Sequence, residues 1–328
     1  MYQLIAIGDP IIDTHVRIDD SSAECRIIPH GNIKLCFDYG SKVPIIDSFQ
    51  SLGGNAPNVC VGATKLGLKT AVLSTVGKDV SGQIAIRELA RYGVDTSLIT
   101  IDPTAKTRYS IVLNYLKERT ILSYSNKKNY AWPTPAPETE WIYYTGLGDG
   151  FETMHKHLMK YLTLHPTVRL AFNPGSYLMK FGRSYLAEII SRTDILIVNL
   201  EEAESLLNTK LAKEKSVRTI IHGLISRGAK EVAVTDAEKG AWVGNDEEVL
   251  HLNSFPVTVV AKTGAGDAFS AAYLAARFKG HDLKNALIWG ITNSASVIQH
   301  EDCHTGLLDE AGIKNLTKNF PNIKPLAV

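Results

Sequence analysis

Short apolar segments alternate with amphipathic segments along most of the chain. The apolar segments end at glycine or polar residues and are rich in valine, isoleucine and leucine, which favours buried strands. The segments between them repeat apolar residues at helical spacing; Val59, Ala63 and Leu66, for example, would share one helix face. The candidate strands are residues 4–7, 71–76, 141–144, 169–172, 195–198 and 231–235, and the candidate helices are residues 55–66, 84–92, 268–278 and 286–299.

This alternation predicts an α/β fold. Parallel strands joined by helices form sheets that are buried on both faces, so we expect a mostly parallel central sheet flanked by helices. Residues 14–50 and 107–125 break the rhythm because neither stretch contains a convincing helical pattern. Their β-prone segments predict a small β lid over the carboxyl ends of the main strands, where open α/β sheets bind ligands. An edge hairpin without a function is the alternative.

The predicted lid strands are separated by turn residues. In the first stretch, β-prone residues 16–18 and 34–37 are split by residues 29–32, which include a proline and a glycine. In the second stretch, strands at 109–116 and 120–124 would be joined by a turn at 117–119. The predicted division is therefore a three-layer core formed by residues 1–13, 51–106 and 126–328, and a lid formed by residues 14–50 and 107–125.

Composition and charge narrow the functional classes. The chain is 45% hydrophobic and 21% charged, as in ordinary globular proteins. Its 35 basic and 34 acidic side chains give a net charge of +1, which provides no broad electrostatic reason to bind nucleic acid or a membrane. No apolar run has the roughly 18 residues of a membrane-spanning helix, and the N-terminus lacks a basic leader segment, so we expect a cytoplasmic protein. The four cysteines form no C-x-x-C pair and are expected to be free thiols.

The segment Thr263-Gly264-Ala265-Gly266-Asp267 follows a β-prone run, residues 257–260, and precedes the helix predicted at 268–278. Glycine before a helix lets the backbone approach a ligand, and the first N–H groups of a helix have no partners within it. Together with the helix dipole they favour a phosphate or a developing anion. Asp267 would lie in the first turn, either as a base beside that anion or as a simple helix cap.

Three further groups of residues are candidates for ligand binding. Gly53-Gly54-Asn55-Ala56-Pro57-Asn58 places paired glycines and two amide side chains at the start of a helix, where amides can bind hydroxyl groups. Asn199 and Glu202 follow a strand, where they would either position hydrated Mg²⁺ or cap the next helix. Asp13 lies shortly after the end of the first strand.

Taken in order, these segments resemble the ribokinase-like, or PfkB, family of carbohydrate and nucleoside kinases. Residues 53–67 look like the N-terminal signature of that family, and residues 263–269 look like its C-terminal signature. Residues 199–202 match its N-x-x-E motif, and residues 234–240 match the strand beneath its nucleotide. The resemblance extends over residues 8–308.

The resemblance implies a role for each candidate. Asp267 would take the proton from the acceptor hydroxyl, and the backbone N–H groups of Gly264, Ala265 and Gly266 would form an anion hole for the transferred group. The donor would be ATP with Mg²⁺; a sugar is the expected acceptor, and a nucleoside is the alternative. The other implied contacts are substrate hydroxyls at Asp13, Gly54, Asn55 and Asn58, the nucleotide at Asn199, Thr235, Gly240, Thr263 and Asn293, and hydrated Mg²⁺ at Asn199 and Glu202.

One departure from the family pattern concerns a monovalent cation. Similar enzymes often carry Asp-Thr immediately before Thr-Gly-Ala-Gly-Asp, and that aspartate helps to bind the cation. This chain has Ala261 and Lys262 at those positions. Potassium activation is therefore not implied here, and the Lys262 ammonium is a candidate substitute for the cation.

The segment His300-Glu301-Asp302-Cys303-His304 matches H-E-x-x-H, the pattern of zinc metallopeptidases. A zinc site with this pattern requires a helix, in which the imidazoles of His300 and His304 face the same side. The segment instead runs directly into Thr305 and Gly306, and in the resembled family it is the loop that closes the nucleotide cleft. A zinc site is therefore the less favoured interpretation.

Two alternatives concern function and assembly. A sugar- or nucleotide-binding regulator without catalysis would use the same scaffold, although the intact Asp267 and glycine run argue against it. The open edge of the lid offers a surface for a homodimer, and a monomer is equally compatible with the sequence. Phe37 or Tyr39 would stack on a nucleobase or a sugar face, or would pack in the core.

Overall fold

The computed structural model describes residues 1–19, 21, 24–27, 33–115, 118–181, 183–208 and 216–328. The predicted break at residues 29–32 and the turn residue Lys117 lie outside the described residues. The strands of the described residues are β1 (Tyr2–Ile7), β2 (Ile11–Ile18), β3 (Glu24–Ile27), β4 (Ile33–Cys36), β5 (Ile45–Gly53), β6 (Thr70–Gly77), β7 (Ile99–Asp102), β8 (Arg108–Tyr115), β9 (Glu118–Tyr124), β10 (Thr139–Tyr144), β11 (Arg169–Phe172), β12 (Ile195–Asn199), β13 (Glu231–Thr235), β14 (Ala241–Gly244), β15 (Val249–Leu252) and β16 (Leu326–Ala327).

The main sheet has a parallel centre and an antiparallel edge. Among the described residues its strand order is β16-β15-β14-β13-β12-β11-β10-β1-β6-β7. Every pairing from β7 to β13 is parallel, and the pairings of β13, β14, β15 and β16 are antiparallel. The predicted mostly parallel sheet is therefore confirmed. The antiparallel edge was not predicted, because its strands are short and carry no helix between them.

Helices cover both faces of the main sheet. Alternate residues of a strand point to opposite faces, so Leu4 and Ala6 of β1 join one core while Ile5 and Ile7 join the other. The first core contains residues of α1, α2, α8 and α9, and the second contains residues of α3, α5, α6 and α7. The helices are α1 (Asn55–Lys65), α2 (Val80–Arg91), α3 (Phe151–Leu164), α4 (Gly175–Phe181), α5 (Arg183–Arg192), α6 (Leu200–Leu207), α7 (Val217–Ile225), α8 (Ala265–Phe278), α9 (Leu283–Val297) and α10 (Glu310–Lys318).

The start of one predicted helix was wrong for an identifiable reason, and one β-prone run is not a strand. Helix α2 begins at Val80 rather than at residue 84, because the Asp79 side chain accepts a hydrogen bond from the Gly82 N–H and caps the helix earlier. The β-prone residues 257–260 form no strand. Val259 and Val260 are exposed and line a cavity instead of pairing within a sheet.

The lid is a separate four-stranded sheet of order β5-β2-β8-β9. Strand β2 begins directly after β1, and β5 leads directly into α1, so the lid joins the core at the carboxyl end of β1. Residues 11–18 and 45–53 are its first two strands, which means that lid strands begin before residue 14 and continue past residue 50. Strands β3 and β4 pair with each other as a two-stranded sheet.

The cysteines and the apolar helices of the described residues can be compared with the expectations from the sequence. Cys36, Cys60 and Cys303 are free thiols. No helix in the described part of the chain is long and apolar enough to span a bilayer.

Candidate active site

Helix α8 begins at a sharply turned glycine. Gly264 precedes the helix with φ +76°, and a Cβ at this position would lie 2.7 Å from the Cys303 Sγ. A side chain here would be both strained and blocked. Gly264 provides no side-chain cap, so the N–H groups of the first turn stay available for an anion. A Cβ on Gly266 would meet nothing within 4 Å, which shows open space at this end of the helix.

The Asp267 side chain lies in that first turn but does not cap the helix. Its Oδ2 accepts a hydrogen bond of 2.7 Å from the Nδ2 of Asn58 on α1. Burial raises the pKa of this carboxyl group to about 6, while the hydrogen bond from Asn58 opposes the rise and the charges of Glu202 and Asp13 add to it. Asp267 therefore combines a raised basicity with an orienting partner.

Asn58 links Asp267 to His304. The Asn58 Oδ1 lies 2.9 Å from the His304 Nε2, and because a carbonyl oxygen only accepts, this nitrogen carries the proton. Burial lowers the pKa of His304 to about 4, so the imidazole is neutral near pH 7. The sequence implied that Asn58 holds substrate hydroxyls, whereas the structure places its amide between the Asp267 carboxylate and an imidazole.

Asp13 of β2 lies on the lid above this helix. Its Oδ1 accepts a hydrogen bond from the Ser110 hydroxyl of β8, and burial raises the pKa of the carboxyl group. A Cβ on Gly53 would lie 2.2 Å from the Asp13 Oδ2, so only glycine lets the backbone pass so close to this carboxylate. Ser110 was not found from the sequence, because its role depends on the parallel register of β2 and β8.

Gly54 and Asn55 complete the start of α1. Gly54 has φ +98°, and a Cβ on it would lie 2.3 Å from the backbone oxygen of Asp9. Asn55 is the first helical residue, and Gly54 is the N-cap, so Asn55 does not cap the helix. The Asn55 Nδ2 lies 3.5 Å from the Asn173 Oδ1, at the edge of hydrogen-bonding distance.

The lid carries three rows of side chains on the face that bears Asp13, and residues of the middle and outer rows line a cavity of about 660 Å³. Alternate residues of a strand share a face, so successive rows are about 7 Å apart. In the middle row the His15 and Phe49 rings stack with centroids 4.4 Å apart, whereas the Phe37 and Tyr39 side chains are exposed and line neither cavity. From the core outward the rows are Ser51, Asp13, Ser110 and Ser123, then Phe49, His15, Val112 and Ile121, then Asp47, Arg17, Asn114 and Arg119.

A second cavity of about 340 Å³ lies on the other side of the α8 start. Thr235 and Gly240 line it together with Ala265 and Gly266. Val259 and Lys262 line both cavities, and Thr263 lines the first. The N-terminus of α8 therefore lies where a lid-covered cavity and a mostly apolar cavity meet.

Asn293 does not line the second cavity. Its side chain is fully buried, donates to the Ala268 backbone oxygen at 2.8 Å and accepts from the Leu308 N–H at 2.9 Å. The residues of α9 that reach the cavity are Ile291, Ser294 and Ala295. Asn293 therefore holds α8 and the segment after α9 together, beneath the cleft.

Asn199 and Glu202 form a capping box at the start of α6. The Asn199 Oδ1 accepts from the Glu202 N–H at 2.8 Å, and the Glu202 Oε2 accepts from the Asn199 N–H at 3.0 Å. Burial raises the pKa of Glu202, and the charge of Glu202 reaches Asp267 and Tyr143. Asn199 and Glu202 therefore cap α6, as one of the two interpretations predicted. Helix α6 also lies close enough to Asp267 for the Glu202 charge to raise the pKa of Asp267.

Residues 300–304 form turns and bends after the end of α9 and do not continue the helix. The helical geometry of an H-E-x-x-H zinc site is therefore absent, and the described residues contain no group of three metal-ligating side chains. The segment instead places the His304 ring in hydrogen-bonding contact with Asn58 and the Cys303 side chain beside Gly264.

A buried ion pair supports the loop between β1 and β2. The Asp9 carboxylate accepts from the Lys128 Nζ at 3.0 Å and from the Tyr130 hydroxyl at 2.7 Å. The Asp9 backbone oxygen lies against Gly54, so this network fixes the entry to α1. Neither Lys128 nor Tyr130 was singled out from the sequence, since both belong to a segment without regular structure.

Comparison with known proteins agrees with this geometry. Residues 40–310 match the family described as pfkB family carbohydrate kinase. The chain belongs to the PfkB family. Within that family it is similar to an ATP-dependent 6-phosphofructokinase of Thermoanaerobacterium thermosaccharolyticum, with 25% identity over 85% of this chain and 88% of the relative. It is also similar to a nucleoside kinase of Methanothermobacter thermautotrophicus, with 24% identity over 84% and 87% of the two chains.

The fold is shared with solved structures. The structure of Arabidopsis thaliana ribokinase complexed with ribose and ATP superimposes with a TM-score of 0.77 at 19% identity, covering 97% of this chain and 99% of that one. The predicted ribokinase-like architecture and the PfkB resemblance are therefore confirmed. The PfkB chain described here is a kinase of the carbohydrate or nucleoside class.

Proposed function

We propose that this protein transfers the γ-phosphate of ATP to a hydroxyl of a sugar, free or within a nucleoside, and that Asp267 is the general base. The observation that carries the proposal is the position of Asp267 in the uncapped first turn of α8: Thr263 just before this turn lines the lid-covered cavity, and Ala265 and Gly266 within it line the apolar cavity. The lid-covered cavity would hold the acceptor and the apolar cavity the nucleotide.

The reaction follows from this arrangement. The acceptor oxygen forms a bond to the γ-phosphorus, the bond from phosphorus to the bridging oxygen breaks, and ADP leaves with that electron pair. Asp267 receives the hydroxyl proton, and the first-turn amides of Gly264, Ala265 and Gly266 stabilise the transferred group, which bears negative charge. Lid closure would exclude the water that otherwise hydrolyses ATP.

The nucleotide cavity suits an adenine ring. Its lining is largely apolar, with Phe255, Phe269 and Ile291 on its walls, and Thr235 and Gly240 at one side. Mg²⁺ would neutralise charge on the triphosphate. Glu202 fits a role in holding that hydrated ion, because its Oε2 is used by the Asn199 N–H while the carboxylate retains a second oxygen.

The side chains in the three rows of the lid indicate which kind of acceptor would fit there. Asp13 and the serines of the first row suit sugar hydroxyls. The stacked His15 and Phe49 rings in the second row provide a flat aromatic surface, and Asn114 in the third row offers an amide. This order of polar, aromatic and polar contacts favours a nucleoside as the second candidate, with its base on the aromatic row.

The proposal is tested by measuring ADP release with a panel of sugars and nucleosides. Turnover is expected with at least one acceptor, and a well-folded Asp267→Asn variant should lose at least 10²-fold in turnover, within the range typical of a lost general base. A regulator without catalysis would bind a member of the panel and release no ADP. Near-normal turnover in Asp267→Asn would show that Asp267 is not the general base.

We also propose that a second copy of this chain covers the outer face of the lid. Tyr109, Ile111, Leu122 and Tyr124 are exposed large side chains that share this face, and the Tyr109 and Tyr124 rings stack 5.1 Å apart. Such a patch can pair with its own copy across a two-fold axis. Light scattering should give a dimer for the wild type and a monomer for Leu122→Lys. The matched change at an exposed isoleucine of β7, Ile101→Lys, should remain dimeric; a monomeric wild type would refute the proposal.

A further inference from the structure

The contact between His304 and Asn58 decides how the Asn58 amide is oriented. An asparagine amide presents an acceptor on one side and a donor on the other, and rotation by 180° exchanges them. Asn58 lies between an Asp267 oxygen, which accepts, and the His304 Nε2. With a proton on Nε2, one orientation makes both hydrogen bonds and the other makes neither.

His304 is held in place by its surroundings. It is 5% exposed, and its ring contacts the Tyr92 ring with centroids 5.0 Å apart. Its backbone N–H donates to the Asp302 carboxylate at 2.7 Å, which anchors the turn that carries it. The charged groups that act on the imidazole are Asp302 of this turn and Glu88 of α2. A neutral, fixed imidazole is suited to orienting a neighbour and not to exchanging protons with substrate.

We propose that His304 is a positioning residue for the general base: its Nε2–H holds the Asn58 amide so that Nδ2 donates to Asp267. The inference rests on the proposed role of Asp267. Without this donor, the Asn58 amide is free to turn its oxygen toward the carboxylate, where Asp13 of β2 and Glu202 of α6 already add negative charge. The ionised form of Asp267 would then lose a stabilising hydrogen bond, and less of the base would be available at a given pH.

The first experiment compares His304→Leu, which removes the donor, with His304→Gln, which retains an N–H near the same place. For His304→Leu the acid limb of the kcat/KM profile should move upward by roughly one pH unit. The Gln variant should restore most of that shift. An unshifted limb in a folded Leu variant, or equal shifts in both variants, would overturn the proposal.

A matched control separates positioning from packing. His155 is 1% exposed, lies in the second core and has its Nε2 3.3 Å from Glu188. His155→Leu should alter thermal stability without moving the acid limb. A shift in this control equal to that of His304→Leu would show that the limb reports general destabilisation, and the proposal would be wrong.

The second experiment needs no turnover and therefore distinguishes failure of this inference from failure of the proposed function. The difference in unfolding free energy between the wild type and Asp267→Asn, measured against pH, reports the pKa of Asp267 through proton linkage. Repeating the comparison in the His304→Leu background should give a higher pKa. In an Asn58→Ala background, His304→Leu should cause no further rise; an additional rise there would show that His304 acts on Asp267 by another route.

Discussion

Asp9 and Lys128 form an ion pair from which solvent is excluded: the Nζ lies 3.0 Å from the Asp9 Oδ1, and both side chains are 0% exposed. The Lys128 Nζ also donates to the Thr75 backbone oxygen at 3.0 Å. Lys128 thereby ties the residues before Tyr130 to β6 and to the loop that supports Gly54. The start of α1 is thus supported by a charge pair that the sequence motifs do not include.

Removing one member of this pair should be costly. Lys128→Met removes the nearer counter-charge of the buried Asp9 carboxylate and leaves the Arg108 guanidinium, 3.6 Å away, as its ionic partner, so we expect a loss of about 3 kcal/mol in unfolding free energy. The measurement is urea unfolding. The matched change Lys279→Met breaks a pair with Glu310 at the surface and should cost less than about 1 kcal/mol. Equal effects of the two substitutions would contradict the assignment of Asp9 and Lys128 as a desolvated pair.

The raised pKa of Asp267 predicts how activity depends on pH. A general base works when it is ionised, so kcat/KM should fall tenfold per unit as the pH drops below about 6, the pKa of the Asp267 carboxyl group. The rate is measured with MgATP and acceptor well below saturation, and circular dichroism at each pH checks that the fold persists. An acid limb near the ordinary aspartate value of 3.8 would contradict the burial of this carboxylate.

The same carboxylate should reduce stability at neutral pH. Because the folded state raises its pKa from 3.8 to about 6, the stability that the protonated group contributes is complete below pH 3.8 and is lost as the pH rises through about 6. Asp267→Asn cannot ionise, so it should exceed the wild type by about 3 kcal/mol at pH 8 and come close to it near pH 4. Unfolding free energies at the two pH values test this, and a difference that grows toward low pH would refute the sign.

The two glycines of the α8 start should respond differently to the same substitution. Gly264→Ala meets a positive φ of +76° and the Cys303 Sγ at 2.7 Å, so it should destabilise the protein by more than about 1 kcal/mol. Gly266→Ala enters open space at a helical position and should leave stability equal or slightly higher. Its methyl group would nevertheless occupy the space over the first-turn amides, so turnover should fall at least tenfold. Thermal unfolding and ADP release separate the two effects.

Lys262 is predicted to act on the phosphates and not on the fold. Its Nζ lies 3.1 Å from the Glu238 Oε1, the side chain is 67% exposed, and it lines both cavities. Lys262→Ala should leave the melting temperature unchanged, because an exposed pair contributes little, and should lower turnover. Lys230→Ala, which removes an exposed lysine paired with Asp194, should change neither. If turnover depends steeply on potassium and Lys262→Ala leaves that dependence unaltered, Lys262 does not substitute for a cation.

Local pattern accounts for what the sequence predicted well. The strands at 169–172 and 231–235 have the predicted bounds, because runs of apolar residues between polar ends are a local signal. Helices α8 and α9 begin a few residues before their predicted starts, since the glycines and the Asp282 cap at their ends carry no apolar periodicity. The glycine-rich start of α8 and the position of Asp267 were likewise visible as short motifs.

The sequence by itself determined the fold class and the family and singled out Asp267 as the candidate base, since strands, helices and glycine motifs are each signalled by residues close together in the chain. Only the tertiary structure decided what surrounds that base. Asn58 is 209 positions from Asp267, and His304 is 246 positions from Asn58. A hydrogen bond depends on distance and direction in space, which strand order and helix packing set, and no local pattern records which distant side chains they bring together.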